Sequence, residues 1–380
     1  MLSGAVYALT GDAASGIQPR LVFSRAAAMK YSAGHTPMAV SPDAGKIYYG
    51  DETGNMYCLD KTGRQLWRFH ASVAKDRWAG CRNFKQEDIP PILISQILAS
   101  KDESGVMVLI GPGQDRTFPD GCSYPLRVVR LSAEGAVMWE REIGIEGLTM
   151  AASDNGDRTL LIPWAREHDW SKSAGNYVLL GADGRTLWTA APDKYMNDKP
   201  SGPDDYYTET PSGEISGVYI FAGNKLLDRF GKPIWVLPKN EFFSGVSKEF
   251  AAVSHFDKTT SCLKIFDMRT RKVLWQTRPE NYEMPLDFGG SSVQFHNGVM
   301  EYDGKYLNPK NGHPIKNADA GQTVRNHYSI KWKSDGLALI DIRTNKTQWN
   351  LSGVTVGDSS SDHRYILVST DKEIQLYALW

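Results

Sequence analysis

Short runs in which apolar and polar residues alternate follow one another along this chain, separated by Asp-Gly, Asn-Gly and Thr-Gly. Alternation with period two, enriched in β-branched and aromatic residues, is the pattern of half-buried strands, and Gly dipeptides mark turns. In the clearest stretch, 37–41 reads as an inner strand and 41–46 as its turn, and 47–50, 55–59 and 65–69 supply three further strands. No stretch of 12 residues outside the loops carries helical periodicity. The pattern therefore predicts an all-β chain.

One phrase recurs: an apolar run, an Asp or turn residue, Gly, a few residues, then Trp. Its best copy is Tyr57-Cys-Leu-Asp-Lys-Thr-Gly63-Arg-Gln-Leu-Trp67. Others end at Trp139 after Gly135, Trp188 after Gly184, Trp235 after Gly231, and at Trp275 and Trp349. Successive tryptophans are roughly 40 to 70 residues apart, the spacing of propellers or solenoids. Each unit can bury its apolar faces only against its neighbours, so 1–380 is predicted as a single β-propeller domain of four-stranded antiparallel blades. Units fall near 37–70, 95–142, 148–190, 206–237, 246–277, 288–316 and 324–351. The segment 354–380 lacks a final strand, and 17–25 offers a strand without a blade. Joining them completes an eighth blade and leaves the ring without free edges. The predicted count is eight; seven is the alternative, because 288–316 is degenerate and lacks its Trp.

The phrase at 47–67 resembles the PQQ-type (quinoprotein alcohol dehydrogenase-like) propeller repeat, and the resemblance recurs at 128–139, 177–188, 263–275 and 337–349. It implies a structural docking role for Gly63, Trp67, Gly135, Trp139, Gly184, Trp188, Gly231, Trp235, Trp275 and Trp349, each Trp packing between adjacent blades. Catalytic members of that family hold their cofactor between a Trp and a disulfide of adjacent cysteines, beside Ca²⁺. Here Cys58, Cys81, Cys122 and Cys262 are far apart, so quinone-dependent dehydrogenation is not expected, and neither catalytic nor metal residues are assigned. In size the chain is similar to the family's non-catalytic branch, the eight-bladed outer-membrane assembly scaffolds. That likeness implies a bacterial-envelope or periplasmic protein whose signal peptide has been removed; a cytoplasmic protein is the alternative, because the first residues lack a basic n-region and a full apolar core.

Charge and composition exclude more than they assign. With 43 basic and 44 acidic residues, a net charge of -1 gives no basic surface for nucleic acid. No apolar run approaches 18 residues, so no segment is predicted to span a membrane. Cys58 and Cys262 lie in strand patterns and read as small buried hydrophobes, whereas Cys81 and Cys122 lie in long loops and are candidates for a disulfide. The eight histidines form no His-x-His or His-x₃-His pair, and His255 with Asp257 reads as a turn-end pair. There is no Gly-x-Ser-x-Gly elbow and no phosphate loop.

Loop lengths carry the functional signal. Turns at 41–46, 100–105 and 153–158 are short, and so are those at 61–63, 133–135 and 182–184. Long insertions fall between blades, at 70–94, 190–206 and 277–288, and between second and third strands, at 111–125 and 164–176. In an up-and-down blade these two classes emerge on one face. They contain Trp78, Arg82, Phe84, Phe118, Tyr124, Trp164, His168, Trp170, Tyr195, Tyr206, Tyr207 and Tyr282. Exposed aromatics with Arg are the composition of protein-interface anchors. Arg166-Glu-His-Asp169, between Trp164 and Trp170, reads as part of a polar binding loop. Asp193, Asp198, Asp204 and Asp205 add an acidic stretch able to attract a basic partner or Ca²⁺, with no other cofactor expected. The sequence thus predicts a monomeric, non-catalytic propeller that binds another protein through one face. The alternatives are an enzyme, such as a lyase or hydrolase, with its site at the axis, or a carbohydrate or small-ligand sensor.

Overall fold

A computed structural model describes residues 19–26, 37–71 without 52, 92–112, 126–143, 148–163 without 154–155, 176–191, 213–256 without 218 and 239, 260–281 without 279, 293–315 without 297–298 and 303–304, and 328–379 without 334–335, 342–345, 355, 360–363 and 371. These residues form eight separate antiparallel sheets. Blade 1 comprises Met38–Val40, Ile47–Gly50, Asn55–Leu59 and Gln65–His70. Blade 2 comprises Ile92–Ala99, Gly105–Pro112, Leu126–Ser132 and Val137–Ile143. Blade 3 is built from Leu148–Ala152, Arg158–Pro163, Tyr177–Gly181 and Thr186–Ala190. Gly213–Ser216, Tyr219–Ala222, Lys225–Leu227 and Pro233–Val236 make blade 4. Blade 5 holds Glu241–Val246, Phe250–Phe256, Thr260–Asp267 and Val273–Gln276, with Glu280–Asn281 also pairing to its third strand.

Blade 6 is reduced to Gln294–His296, Val299–Tyr302 and Lys305–Leu307, followed by a single bridge between Leu307 and Pro314. Blade 7 shows Tyr328–Lys333, Gly336–Asp341 and Lys346–Ser352. Blade 8 joins Val356–Ser359, Tyr365–Ser369 and Glu373–Ala378 to the N-terminal strand Arg20–Ala26, so strands from the two ends of the chain close the ring.

First strands line the centre and touch one another from blade 8 through blade 1 to blade 6. Several polar contacts fix their spacing. Val40 N–H donates to Asp358 Oδ2 (2.9 Å) from blade 1 to blade 8. Gln96 Oε1 accepts from Met150 N–H (2.7 Å) and its Nε2 donates to Met150 O (3.0 Å), a side-chain amide pairing with the next blade's backbone. Val293 N–H donates to Ser244 O (2.9 Å) between blades 6 and 5.

Middle strands are apolar at consecutive positions because each of their two faces meets a different neighbour. Tyr48 enters the cluster with Ile94, Val108 and Val129 of blade 2, whereas Ile47 and Tyr49 pack with Leu367, Ile374 and Leu376 of blade 8. Comparable clusters fill the seams 2/3, 3/4, 4/5, 5/6 and 7/8 among the described residues. Cys58 is fully buried in the first cluster, while Cys262 is only half-buried. No helix of the described residues is long and apolar enough to cross a membrane.

The recurring Gly-to-Trp phrase has one geometry. In blade 1, Gly63 N–H donates to Asp60 O (2.9 Å) and Asp60 N–H to Arg64 O (2.9 Å). Gly63 lies at φ +84° and the register slips by one residue at Cys58/Leu59. A left-handed residue followed by a bulge closes a tight hairpin and adds twist. The same slip recurs at Arg130/Leu131, Leu179/Leu180, Leu226/Leu227, Ile265/Phe266 and Leu339/Ile340.

In blades 1 to 6 this turn receives an aromatic ring from the preceding blade. A Cβ on Gly135 would lie 2.6 Å from Trp67 Cδ2, so the indole lies directly on the glycine, and Trp67 Nε1–H donates to Ala133 O (3.0 Å). Trp139 repeats this on Gly184 and Ala182 O (2.8 Å), and Trp275 on Gly312 and Pro309 O (2.8 Å). Trp188 lies on Gly231. At the 4/5 seam the glycine is replaced by Arg271 at φ +56°, whose guanidinium sits 5.6 Å from the Trp235 ring and donates to Ile234 O (2.7 Å). On Gly63 the ring is Phe23, from the N-terminal strand; a Cβ there would meet it at 3.0 Å.

Candidate interaction surface

The antiparallel order of the strands sorts the loops. First-to-second and third-to-fourth turns share one face, and second-to-third and inter-blade connections share the other. On the first face the turns are closed by short local bonds. Ser41, Ser100 and Ser153 hydroxyls accept from the N–H of Lys46, Gly105 and Arg158 (2.9, 3.0 and 2.9 Å). Asp60 accepts from Thr62 Oγ1 (2.6 Å) and from the N–H of Thr62 and Arg64 (2.9 and 3.1 Å). The Thr62 hydroxyl first, then these backbone donors, hold the Asp60 carboxyl at about 2. These bonds tie the turns to themselves.

The opposite face carries the long connections. Trp78, Arg82, Phe84, Phe118, Tyr124, Trp164, His168, Trp170, Tyr195, Tyr206, Tyr207 and Tyr282 lie outside the described residues, as do Cys81, Cys122, Asp257, the Arg166–Asp169 group and the acidic stretch at 193–205. What is described is the platform from which those loops leave.

Three polar groups stand on that platform. At the blade 1 end, Asp51 accepts from Thr53 N–H and Oγ1 (2.9 and 2.7 Å), Asn55 N–H (2.9 Å) and Tyr57 Oη (3.0 Å). Burial pushes its carboxyl up, but the bonds from Asn55 and Thr53 outweigh this and hold it below the ordinary range. Asn55 Oδ1 in turn accepts from Arg68 Nε and Nη2 (3.0 and 2.6 Å) and lies 2.8 Å from His70 Nδ1. The acceptor character of Oδ1, fixed by Arg68, puts the imidazole proton on Nδ1.

At blade 2, Arg127 donates to Glu140 (2.7 Å). On blade 5, Glu241, nine-tenths buried, takes Lys264 Nζ at 2.5 Å and has His255 Nδ1 at 3.2 Å on the same oxygen. The histidine contact is close but not aligned as a hydrogen bond. His255 therefore belongs to an ion-pair cluster, which sequence reading missed because Glu241 lies on another strand, paired opposite it. Cys262 is His255's other cross-strand neighbour, and burial first, with Glu241 second among the groups that raise it, keeps its thiol above the ordinary range. Glu214, on the blade 4 inner strand, is pushed up by burial alone. Among the described residues, no group of three or more His, Cys, Asp or Glu is placed to hold a metal ion.

Eight antiparallel sheets, five of them four-stranded among the described residues, ringed about an axis and closed by the chain's two ends, define a β-propeller. Over 95% of this chain and 98% of its own, the structure of BamB from Moraxella catarrhalis superposes with a TM-score of 0.53 at 12% identity. The Neurospora crassa Pan2 WD40 domain aligns over 92% and 90%, with a TM-score of 0.45 and 12% identity. At such identity the likeness to BamB is one of fold. No protein-family model matches the chain, and no curated protein matches it in sequence.

Proposed function

We propose that this chain is a non-catalytic propeller scaffold that binds another protein through the face bearing the long connections, in the periplasm or cell envelope of a bacterium. The observation that carries the reading is the asymmetry of the two faces. Short turns closed by local hydrogen bonds occupy one face, and strand direction sends the long, aromatic-rich connections from the other. Loops on a rigid scaffold are where binding residues concentrate, and preorganised strands reduce the ordering entropy that association costs. Trp164 and Trp170 are the proposed principal anchors, and Arg82, Phe84 and Tyr206 are proposed as further contacts. The envelope location rests on the resemblance of the repeat to outer-membrane assembly scaffolds.

The test is affinity capture from a cell-envelope extract with the purified chain, run beside a Trp164→Ala/Trp170→Ala variant. A protein retained by the parent and lost from the variant, with the melting temperature within about 2 °C, supports the reading. Equal capture by both removes the anchors, and a large melting shift makes the two tryptophans structural.

A further inference from the structure

The seam where the ring closes carries charge that no carboxylate among the described residues neutralises. Arg25, on the N-terminal strand of blade 8, and Arg68, on the outer strand of blade 1, both stand 5.8 Å from the centre of the Tyr57 ring. That ring stacks on Tyr49 (4.9 Å between centroids, 18° between planes), so it is a fixed platform. Both guanidiniums are held by neutral oxygens: Arg25 by Gly63 O and Gln65 Oε1 (3.5 and 3.3 Å), Arg68 by Asn55 Oδ1. The carboxylate below them, Asp51, is 6% exposed and is occupied by Thr53, Asn55 and Tyr57.

Arg130, Arg141 and Arg271 are likewise held by backbone carbonyls, but none of them shares an aromatic ring with a second guanidinium among the described residues, and four other arginines are paired with acids. Arg64, Arg127, Arg158 and Arg185 each face a carboxylate of this chain, at 3.0, 2.7, 3.3 and 3.4 Å. Arg68 is exposed and Arg25 half-exposed. Arg68 spends Nε and Nη2 on Asn55, which orients the fork beside the Tyr57 ring and leaves Nη1 without a hydrogen-bond partner among the described residues. Two guanidiniums over one aromatic ring, with no carboxylate partner among the described residues, make a receptor for carboxylates, which guanidinium binds in two-pronged geometry.

We propose that the closing seam between blades 8 and 1 binds an acidic segment of a protein partner, its carboxylates taken by Arg25 and Arg68 across the Tyr57 ring. This surface lies on the rim and is independent of the loop anchors, although it shares with the proposed function the reading of the chain as a binding scaffold. Because the chain as a whole is near neutral, the patch is a local feature and does not extend to the broad basic surface that nucleic acid needs.

The test uses the full chain and a fluorescein-labelled hexaglutamate peptide, read by anisotropy at low ionic strength. Saturable binding is expected, weakened about tenfold by Arg68→Gln and by Arg25→Gln, since each removes one charged partner. Arg68→Lys, which keeps the charge but loses the planar fork, should weaken binding measurably yet less than Arg68→Gln, and Arg185→Gln should leave it unchanged. Binding should also fall as salt shortens the screening length. Urea midpoints identify any variant that is not folded, and Arg25→Gln and Arg68→Lys carry the test if Arg68→Gln is one. The Trp164→Ala/Trp170→Ala variant should bind the peptide normally, so failure of the loop reading and failure of this one are separable. Absence of saturable binding, or equal weakening by Arg185→Gln, overturns the proposal. Displacement by millimolar inorganic phosphate at constant ionic strength would reassign the seam to small anions. Tighter binding of a labelled single-stranded oligonucleotide would reassign it to nucleic acid.

Discussion

The seam between blades 1 and 2 and the seam between blades 8 and 1 solve one packing problem with different side chains. In the first, Trp67 covers Gly135 and its indole N–H reaches Ala133 O. In the second, Phe23 covers Gly63, and a benzyl ring has no donor to offer. Arg25, two residues on, supplies the reach instead, to Gly63 O at 3.5 Å. Arg141, two residues after Trp139, does likewise to Gly184 O at 3.0 Å. What the repeat requires is therefore a flat ring on a left-handed glycine and a donor to the next turn; Trp supplies both in one residue. The closing seam divides the two tasks, and the guanidinium it needs lies beside Arg68 with no carboxylate opposite among the described residues.

The sharpest way to break the comparison is Trp67→Ala, expected to cost about 3–5 kcal/mol by opening a cavity that blade 2 cannot collapse into. Phe23→Ala should cost about 3 kcal/mol, the low end of that range, because a phenyl ring is smaller than an indole and leaves a smaller cavity among Leu59, Ile374 and Leu376. Urea denaturation of both variants measures this, and a Phe23 cost above that of Trp67 would invert the ranking. Gly135→Ala comes next at about 1–3 kcal/mol: φ is +84° there and the new methyl would strike the indole. If it proves neutral, the ring does not lie on the glycine as described.

A smaller effect sharpens the substitution at the 4/5 seam. Arg271→Gly relieves a left-handed residue worth roughly 1–2 kcal/mol but forfeits the bond to Ile234 O and the contact with Trp235. The two nearly cancel, so the midpoint should move by less than about 1 kcal/mol. The smallest effect is on the pH curve. The Asp60 carboxyl, held at about 2 when folded, is lowered from its ordinary value near 4, so its contribution is complete above about pH 4 and is lost as pH falls toward about 2. Asp60→Asn should flatten that limb of the stability curve and leave its shape above about pH 5 unchanged. A limb of unaltered slope would show that the turn does not draw on the ionised form.

The repeat was legible because its causes are local. A glycine before a bulge and a strand alternating every second residue are written in neighbouring positions, as Gly63, Gly135 and Gly184 show. The strand at 20–26 and its union with the last blade were also legible, from an unpaired pattern at one end and a missing strand at the other. Phe23 as the ring over Gly63 was not, because no Gly precedes it in its own strand. Arg271 in the glycine place was equally silent, since nothing in a sequence marks an arginine that will adopt positive φ. Glu241 beside Lys264 and His255 joins three strands across a blade, and only their register brings the charges together. The loop anchors, Trp164 and Trp170 foremost, rest on composition and on the face to which strand direction assigns them.

Sequence by itself determined the all-β class, the blade repeat and the ring's closure, because hydrophobic period and turn chemistry act within a few residues of the chain. Tertiary structure alone decided which charges remain unpaired. Arg25 and Arg68 are 43 positions apart, and their meeting over Tyr57 depends on the twist that brings the N-terminal strand beside blade 1. Coulombic pairing is set by distances across seams, and no local pattern encodes those distances.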